Sequence, residues 1–130
     1  MYFVFDGINS KKYNLEIESS NHLSKPKKKL EFVSIPGRTG DLVIDDNSYE
    51  NLPINLECFV EADNEYELKS LVDEIEKWLY KSSEYRSLIF EDGTEFLAIP
   101  INGIETDKLT SDFADLKISF SCIPFDSKEY

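Results

Sequence analysis

The chain has 130 residues, and its 26 acidic against 14 basic residues give a formal net charge of −12. This length allows one domain with a buried core, which we expect to span residues 1–130, and a hydrophobic content of 41% excludes a disordered chain. Such an acidic domain does not hold nucleic acid through phosphate contacts, because these need clustered Lys and Arg. The one basic cluster, Lys25–Lys29, contains a proline and predicts an extended, solvated loop.

The sequence shows neither a membrane-spanning segment nor a signal peptide. No apolar run approaches the roughly 20 residues that a membrane-spanning helix needs. The apolar N-terminus, Met1 to Phe5, has no basic flank and meets Asp6 at once, which is typical of a strand. We therefore expect a soluble protein that is made in the cytoplasm of its cell.

Alternation of apolar and polar residues predicts strands from the N-terminus onward. A first strand is predicted at Tyr2–Phe5. A second strand is predicted around Tyr13, Leu15 and Ile17, which alternate with polar residues. A polar loop is expected from Ser19 to Lys29.

A glycine-containing turn between two apolar runs predicts a β-hairpin. The runs are Phe32–Ile35 and Leu42–Ile44, and the turn between them includes Pro36–Gly40. Proline fixes one backbone angle, and glycine accepts the positive φ that a chain reversal needs. We predict a projecting hairpin over about residues 32–45, with a loop of about five residues. The turn formers Asp45–Ser48 are expected to end its second strand.

One amphipathic helix is predicted over about residues 65–81. Asn64 is a favourable N-cap residue, and Glu67 three positions later completes a variant of the capping box. Apolar residues recur at the i, i+3, i+4 and i+7 spacing of one helix face, which we expect to pack on a sheet as part of the core. These core candidates are Leu68, Leu71, Val72, Ile75, Trp78 and Leu79.

Further strands are predicted on both sides of this helix. They cover Ile54–Val60, Ser87–Phe90, Phe96–Ile104 and Leu116–Cys122. Turns are predicted at Glu91–Thr94 and Leu109–Asp112, and Pro100 predicts an edge or a bulge within its strand. The predicted fold class is mainly β (α+β): an antiparallel β-sandwich or open barrel with one inserted helix and a projecting hairpin, followed by a tail at 126–130.

No constellation of residues predicts catalysis, a cofactor or a bound metal. His22 is the only histidine, and its polar surroundings predict a surface position rather than a place in a triad or zinc site. Cys58 and Cys122 form no CxxC pair and are predicted to be buried free thiols, with a disulfide between them left open. Adjacent carboxylates such as Asp45-Asp46 and Glu91-Asp92 are expected in turns. We predict a protein without enzymatic activity.

Several short motifs follow one another in order along nearly the whole chain. They are Phe5-Asp6-Gly7-Ile8-Asn9-Ser10, the hairpin turn Ser34–Leu42, Tyr49-Glu50-Asn51-Leu52, a helix that ends in Trp78-Leu79, and Pro124-Phe125. Each motif is short, and the ordered set carries the resemblance. The set resembles the N-terminal domain of the distal tail (Dit) proteins of long-tailed siphophages.

This resemblance implies a structural component of a long, flexible phage or prophage tail. Distal tail proteins form a ring, expected to be a hexamer, that joins the tail tube to the host-recognition tip of the virion. The resemblance implies contacts of the ring with the tail tube protein, the tape measure protein and the tail-associated hub protein. It also implies that DNA passes through the lumen without specific binding.

The same resemblance makes the hairpin the arm that reaches a neighbouring subunit. A two-stranded hairpin is marginal alone and needs a surface to pack on. The candidate subunit-interface residues are Val33, Ile35, Pro36, Gly37, Arg38, Gly40, Leu42 and Ile44. Members of this family usually continue beyond Pro124-Phe125 into a second β domain, often carbohydrate-binding-like.

A stand-alone carbohydrate-binding β-sandwich is the alternative. Its ligand would lie on exposed aromatic rings, and the chain contains seven Tyr and nine Phe. Most of these aromatic residues occupy positions of the alternation that face the core, which favours the tail protein.

Overall fold

The structure, a computed structural model, describes residues 1–109 and 112–123. Its strands are β1 (Phe3–Phe5), β2 (Ile8–Asn9), β3 (Leu15–Ser20), β4 (Lys28–Val33), β5 (Leu42–Tyr49), β6 (Leu52–Glu61), β7 (Arg86–Phe90), β8 (Glu95–Leu109) and β9 (Phe113–Ile123). One α-helix, α1, covers Glu65–Leu79, and a short 3-10 helix covers Ser10–Tyr13. This helix is not long and apolar enough to cross a membrane, and the described part of the chain offers no other candidate.

Seven of the strands form one antiparallel sheet. Their order across the sheet is β2-β1-β7-β8-β9-β6-β3, and β4 and β5 form a separate two-stranded sheet. The backbone N–H of Ile17 in β3 donates a 2.7 Å hydrogen bond to the carbonyl oxygen of Met1, next to β1. The sheet therefore curls until its two sides meet at this point, without closing into a barrel. The predicted class, mainly β and antiparallel with one inserted helix, is confirmed.

The core is formed by alternate residues of the central strands. In β6 these are Ile54, Leu56, Cys58 and Val60, and in β9 they are Leu116, Ile118, Phe120 and Cys122; all are buried. The register places Ile54 opposite Phe120 and Leu56 opposite Ile118, so that both strands present the same face to the interior. Alternating exposure in these two strands follows directly from the period of two along a strand.

Helix α1 packs against this core and is capped at both ends. The Asn64 side chain accepts a 2.9 Å hydrogen bond from the backbone N–H of Glu67, as an N-cap residue does. At the other end, the guanidinium of Arg86 donates to the carbonyl oxygens of Trp78 and Leu79, which the helix itself leaves unpaired. The helix ends at Leu79, two residues before the predicted end.

The residues of the predicted helix face are buried to different extents. Four of its residues are buried, namely Leu68, Ile75, Trp78 and Leu79. Leu71 and Val72 are only partly buried and pack at the margin of the core. Within the core, the Trp78 ring lies 5.6 Å from Phe3 and 5.0 Å from Tyr13, measured between ring centroids.

Tyr13 was expected in a strand, and this prediction is wrong. It ends the 3-10 helix, whose N-cap residue Asn9 accepts a 2.9 Å hydrogen bond from the backbone N–H of Lys11. Asn14 has a φ of 54°, and this left-handed residue ends the turn before β3 begins. Tyr13 is nevertheless buried. The sequence pattern therefore indicated correctly that its side chain faces the core, although the residue is not in a strand.

An edge or a bulge was predicted at Pro100, and the long strand β8 shows an unpaired edge at this residue and a bulge shortly after it. Pro100 lies beyond the stretch that pairs with β7, which ends at Ala98, and pairs only with β9. The register then shifts between Ile101 and Glu105, where two consecutive residues, Asn102 and Gly103, have a φ of 68°. This bulge bends the strand. Part of the predicted turn at 109–112 lies outside the described residues. Pro124-Phe125 and the predicted tail at 126–130 lie wholly outside them.

The two cysteines are buried free thiols, as predicted. Cys58 lies on β6 and Cys122 on the neighbouring strand β9. In the register of these strands Cys58 is opposite Leu116, and Cys122 is opposite Leu52. Six residues along a strand correspond to about 20 Å. A disulfide needs Cα atoms within about 7 Å, so the register excludes a bond between these cysteines.

Candidate assembly site: the hairpin arm

A hairpin arm, residues 28–49, leaves the body between two neighbouring strands. It consists of β4 and β5, and it connects β3 to β6, which are hydrogen-bonded to each other at the edge of the large sheet. The arm's strands pack mainly on one another. At about 3.3 Å per residue, the six residues of β4 give it a length of about 20 Å before the loop.

The arm's tip is ordered by a turn that its sequence specifies. The backbone N–H of Arg38 donates a 3.2 Å hydrogen bond to the carbonyl oxygen of Ile35. Pro36 and Gly37 are the central residues, and Gly37 has a φ of 78°, which is the signature of a type II turn. The whole loop between β4 and β5 covers residues 34–41, so it is longer than the predicted five residues.

Both faces of the arm carry exposed apolar side chains. The register pairs Phe32 with Val43 on one face, together with Leu30, and Val33 with Leu42 on the other, together with Ile44. Phe32 is 62% exposed and Val43 50%, while Ile44 is 45% exposed on the opposite face. An isolated two-stranded ribbon has no interior, so these side chains stay in contact with water until another surface covers them.

At the end of the arm that joins the body, β5 contains a bulge where the sequence predicted a turn. Lys28 pairs with Tyr49 and Leu30 with Asp45, so that residues 46–48 lie opposite a single residue of β4, Lys29. Asn47 within the bulge has a φ of 64°. The expectation that Asp45–Ser48 end the strand is therefore wrong, because β5 continues beyond them to Tyr49.

Hydrogen bonds within the bulge explain its acidic residues. Asp45 accepts from the backbone N–H of Asn47 at 2.8 Å, and this bond, followed by the Lys28 ammonium at 3.3 Å, lowers the pKa of the carboxyl. Asp46 accepts from the Ser48 hydroxyl and backbone N–H at 2.5 and 3.0 Å, which lowers its pKa as well. These carboxylates therefore stabilise the local backbone as Asx turns do.

The structure distributes the predicted interface residues over one face and the tip. Val33, Leu42 and Ile44 share a face, while the tip contains Ile35, Pro36, Gly37, Arg38 and Gly40. The opposite face, with Leu30, Phe32 and Val43, is exposed as well, and none of its residues is among the predicted interface residues. The uninterrupted run Leu42-Val43-Ile44 was a signal for it, because consecutive apolar residues in a strand point to opposite faces.

His22 lies in the segment that connects β3 to the arm and is buried, so the predicted surface position is wrong. Only 7% of the residue is exposed, and its ring stacks on Phe90 at a centroid distance of 4.1 Å. Its Nε2 lies 2.8 Å from Oδ2 of Asp92 in the turn between β7 and β8. This hydrogen bond is the main cause that lowers the pKa of Asp92 to about 2. The polar neighbours of His22 in the sequence predicted exposure, whereas its partner Asp92 is 70 positions away and is not visible in a local pattern.

The adjacent acidic residues do not form a metal site. Among the described residues, no group of three or more His, Cys, Asp or Glu side chains is placed to hold an ion. Asp45 and Asp46 bind their own backbone, and Asp92 binds His22 and the backbone N–H of Thr94.

Comparison with known proteins identifies the family. The sequence profile of the phage tail protein RIFT-related domain matches residues 8–122, which is most of the chain. The chain therefore belongs to this family of phage tail proteins. No curated protein matches it.

A solved structure shows the same fold. The crystal structure of SPP1 Dit (gp 19.1), described as a paradigm of the hub adsorption apparatus in phages that infect Gram-positive bacteria, is similar with a TM-score of 0.79 and 14% identity. The match covers 93% of this chain and 49% of that protein, so this chain spans about half the length of its structural relative. The resemblance to siphophage distal tail proteins is confirmed by this family and this fold.

Proposed function

We propose that this protein is the ring-forming distal tail protein of a siphophage or prophage, joining the tail tube to the host-recognition tip. The observation that carries the proposal is the arm: a separate two-stranded sheet with apolar side chains exposed on both faces, on a domain of a phage tail family. Residues 1–130 act in it as one domain, located at the tail tip of the virion.

The arm is suited to a head-to-tail contact between copies. An arm that packs on the body of the next copy makes a heterologous interface, because the two copies contribute different surfaces to it. Such a contact generates a closed ring when the rotation between copies closes, and six copies are the number that the family resemblance implies. Phe32, Leu42 and Ile44 then become buried, which offsets the cost of their exposure in the free chain.

The ring's other contacts follow from its position in the tail. It meets the tail tube protein on one side and the tail-associated hub protein on the other, with the tape measure protein along the axis. A formal charge of −12 per copy repels phosphate, so DNA passes through the lumen without specific binding. The protein acts by assembly alone, without enzymatic activity.

The oligomeric state in solution tests this proposal. We expect light scattering of the purified protein at high concentration to give a mass several times 15.0 kDa, and negative-stain images to show rings. The carbohydrate-binding alternative predicts a monomer that binds glycans on an array. A chain that stays monomeric both alone and in images of the parent tail would contradict the ring.

A further inference from the structure

The segment between β3 and the arm is bound to two other parts of the body. It contains Asn21 and His22, which we call the latch. The His22 ring, which is almost fully buried, lies flat on Phe90 with an angle of 11° between the ring planes. This contact holds the segment against β7, although its neighbours in the chain, Leu23 and Ser24, are exposed.

Both ring nitrogens of His22 have partners. Nδ1 lies 2.8 Å from Oγ of Ser20, and Nε2 lies 2.8 Å from Oδ2 of Asp92. A neutral ring donates to the carboxylate and accepts from the hydroxyl, whereas a charged ring donates to both, because a serine hydroxyl can donate or accept. The contact with Asp92 therefore persists in either protonation state of the histidine.

The arrangement of Ser20, His22 and Asp92 differs from a catalytic triad. The Ser20 hydroxyl also accepts a 3.2 Å hydrogen bond from the backbone N–H of His22, two residues along the chain. Its oxygen is thereby held in a local turn. The three side chains connect a loop to the body, which is a structural arrangement.

Asn21 makes a second attachment, to strand β6. Its Nδ2 donates to the carbonyl oxygen of Pro53 at 3.1 Å, and its Oδ1 accepts from the backbone N–H of Asn55 at 2.7 Å. The side-chain amide thus pairs with β6 as a neighbouring backbone would. The segments that enter and leave the arm are also joined to each other, because the backbone N–H of Glu50 donates to the carbonyl oxygen of Lys27 at 2.8 Å.

We propose that Asn21 and His22 are positioning residues that fix the direction of the arm relative to the body. The latch holds the chain at two points, and residues 23–27 connect it to the first strand of the arm, so the arm leaves from an anchored segment before any partner binds. A preorganised arm loses less conformational freedom on association than a freely pivoting one. The benefit to assembly rests on the proposed function, whereas the orientation itself is a property of the single chain.

Spin-label distance measurements on the full chain test the proposal. Labels are attached to cysteines introduced by Thr39→Cys at the arm's tip and Lys77→Cys on helix α1, both at exposed positions. Cys58 and Cys122 are buried and do not compete for the label in the folded protein. Dilution with unlabelled protein removes distances between copies. We expect a narrow distance distribution that broadens several-fold when Asn21→Ala and His22→Ala are combined.

Two controls separate orientation from stability. Ile75→Val weakens the core at α1, which makes none of the latch contacts described above, and it is expected to leave the distribution narrow, although the protein melts earlier. Asp92→Asn retains an oxygen that accepts from Nε2 of His22 and is expected to keep the distribution narrow as well. If the double variant fails to fold, Asn21→Ala alone still removes both hydrogen bonds to β6 and is expected to broaden the distribution.

Each outcome bears on the proposal. A distribution that stays narrow in the folded latch variants, or one that is already broad in the unsubstituted protein, would overturn it. The measurement is made at a concentration at which light scattering gives the mass of a monomer, so it is independent of ring formation. A narrow, latch-dependent distribution in a protein that never forms rings would support the latch and contradict the proposed function.

Discussion

The indole Nε1 of Trp78 donates a 3.0 Å hydrogen bond to the carbonyl oxygen of Phe5, and this bond joins helix α1 to strand β1. The same ring packs against Phe3, Phe5 and Tyr13, so a single side chain connects the helix, the first strand and the 3-10 helix. The helix thus belongs to the core of one subunit in this structure.

Trp78→Ala is expected to lower the free energy of unfolding by about 3–5 kcal/mol, because it removes a large buried side chain and leaves a cavity. Trp78→Phe keeps most of the packing but removes the donor to Phe5, and a cost of about 1–3 kcal/mol is expected. Urea denaturation of the isolated protein measures both. If Trp78→Ala unfolds at nearly the urea concentration of the unsubstituted protein, the side chain serves an interface and not the core.

Phe32→Ser is expected to leave the stability of the isolated chain within about 0.5 kcal/mol, because the side chain is largely exposed. It is expected to reduce ring formation, since this face of the arm loses its largest apolar side chain. Leu97→Ser, at an exposed apolar position on the body, is the matched control. Light scattering compares the three proteins. Equal assembly of all three would show that this face stays uncovered.

Arg38→Glu probes the tip of the arm. The side chain is exposed, so the melting temperature of the isolated fold is expected to stay nearly unchanged, whereas ring formation is expected to weaken. Arg38→Lys keeps the charge and serves as the control. A variant that assembles normally and unfolds early would show that the assignment of the tip to assembly is wrong.

Acid unfolding is expected to depend on Asp92. Its pKa is lowered from 3.8 to about 2 in the folded protein, first of all by the hydrogen bond with His22. A depressed carboxyl pKa means that the folded state favours the ionised form, so this stabilisation is complete above pH 3.8 and is lost as the pH falls toward about 2. Asp92→Asn is expected to lower the free energy of unfolding at neutral pH. It is also expected to make the decrease of this free energy between pH 3.8 and about 2 less steep.

Urea midpoints measured between pH 2 and 6 compare the variant with the unsubstituted protein. Asp45→Asn is a useful control, because this carboxyl also has a lowered pKa but lies in the exposed arm. Parallel pH profiles for Asp92→Asn and the unsubstituted protein would contradict the lowered pKa of Asp92 in the folded state.

The two cysteines are expected to be unreactive in the folded protein. Burial raises the pKa of both the Cys58 and the Cys122 thiol to about 12, so little thiolate forms at neutral pH. A thiol reagent such as DTNB at pH 8 is expected to react with both groups only after urea is added, under non-reducing conditions. Rapid reaction without urea, or the absence of free thiols in urea, would contradict the burial or the register of β6 and β9.

Sequence alone determined the features that depend on neighbours along the chain. The helix from Glu65 follows from an N-cap at Asn64 and an apolar spacing of three and four residues. The strands around Cys58 and Phe120 follow from alternation, because the two faces of a strand meet different surroundings. The family resemblance rested on the order of such local signals.

Tertiary structure decided the features that depend on partners far apart in the chain. His22 is buried because Phe90 and Asp92 cover its ring and bind its Nε2, which no local pattern shows. Phe32 is exposed because its strand pairs with β5 alone, although its apolar character equals that of any core residue. Burial is set by what packs on a side chain, and only the assembled fold decides which apolar face is covered and which is left for another molecule.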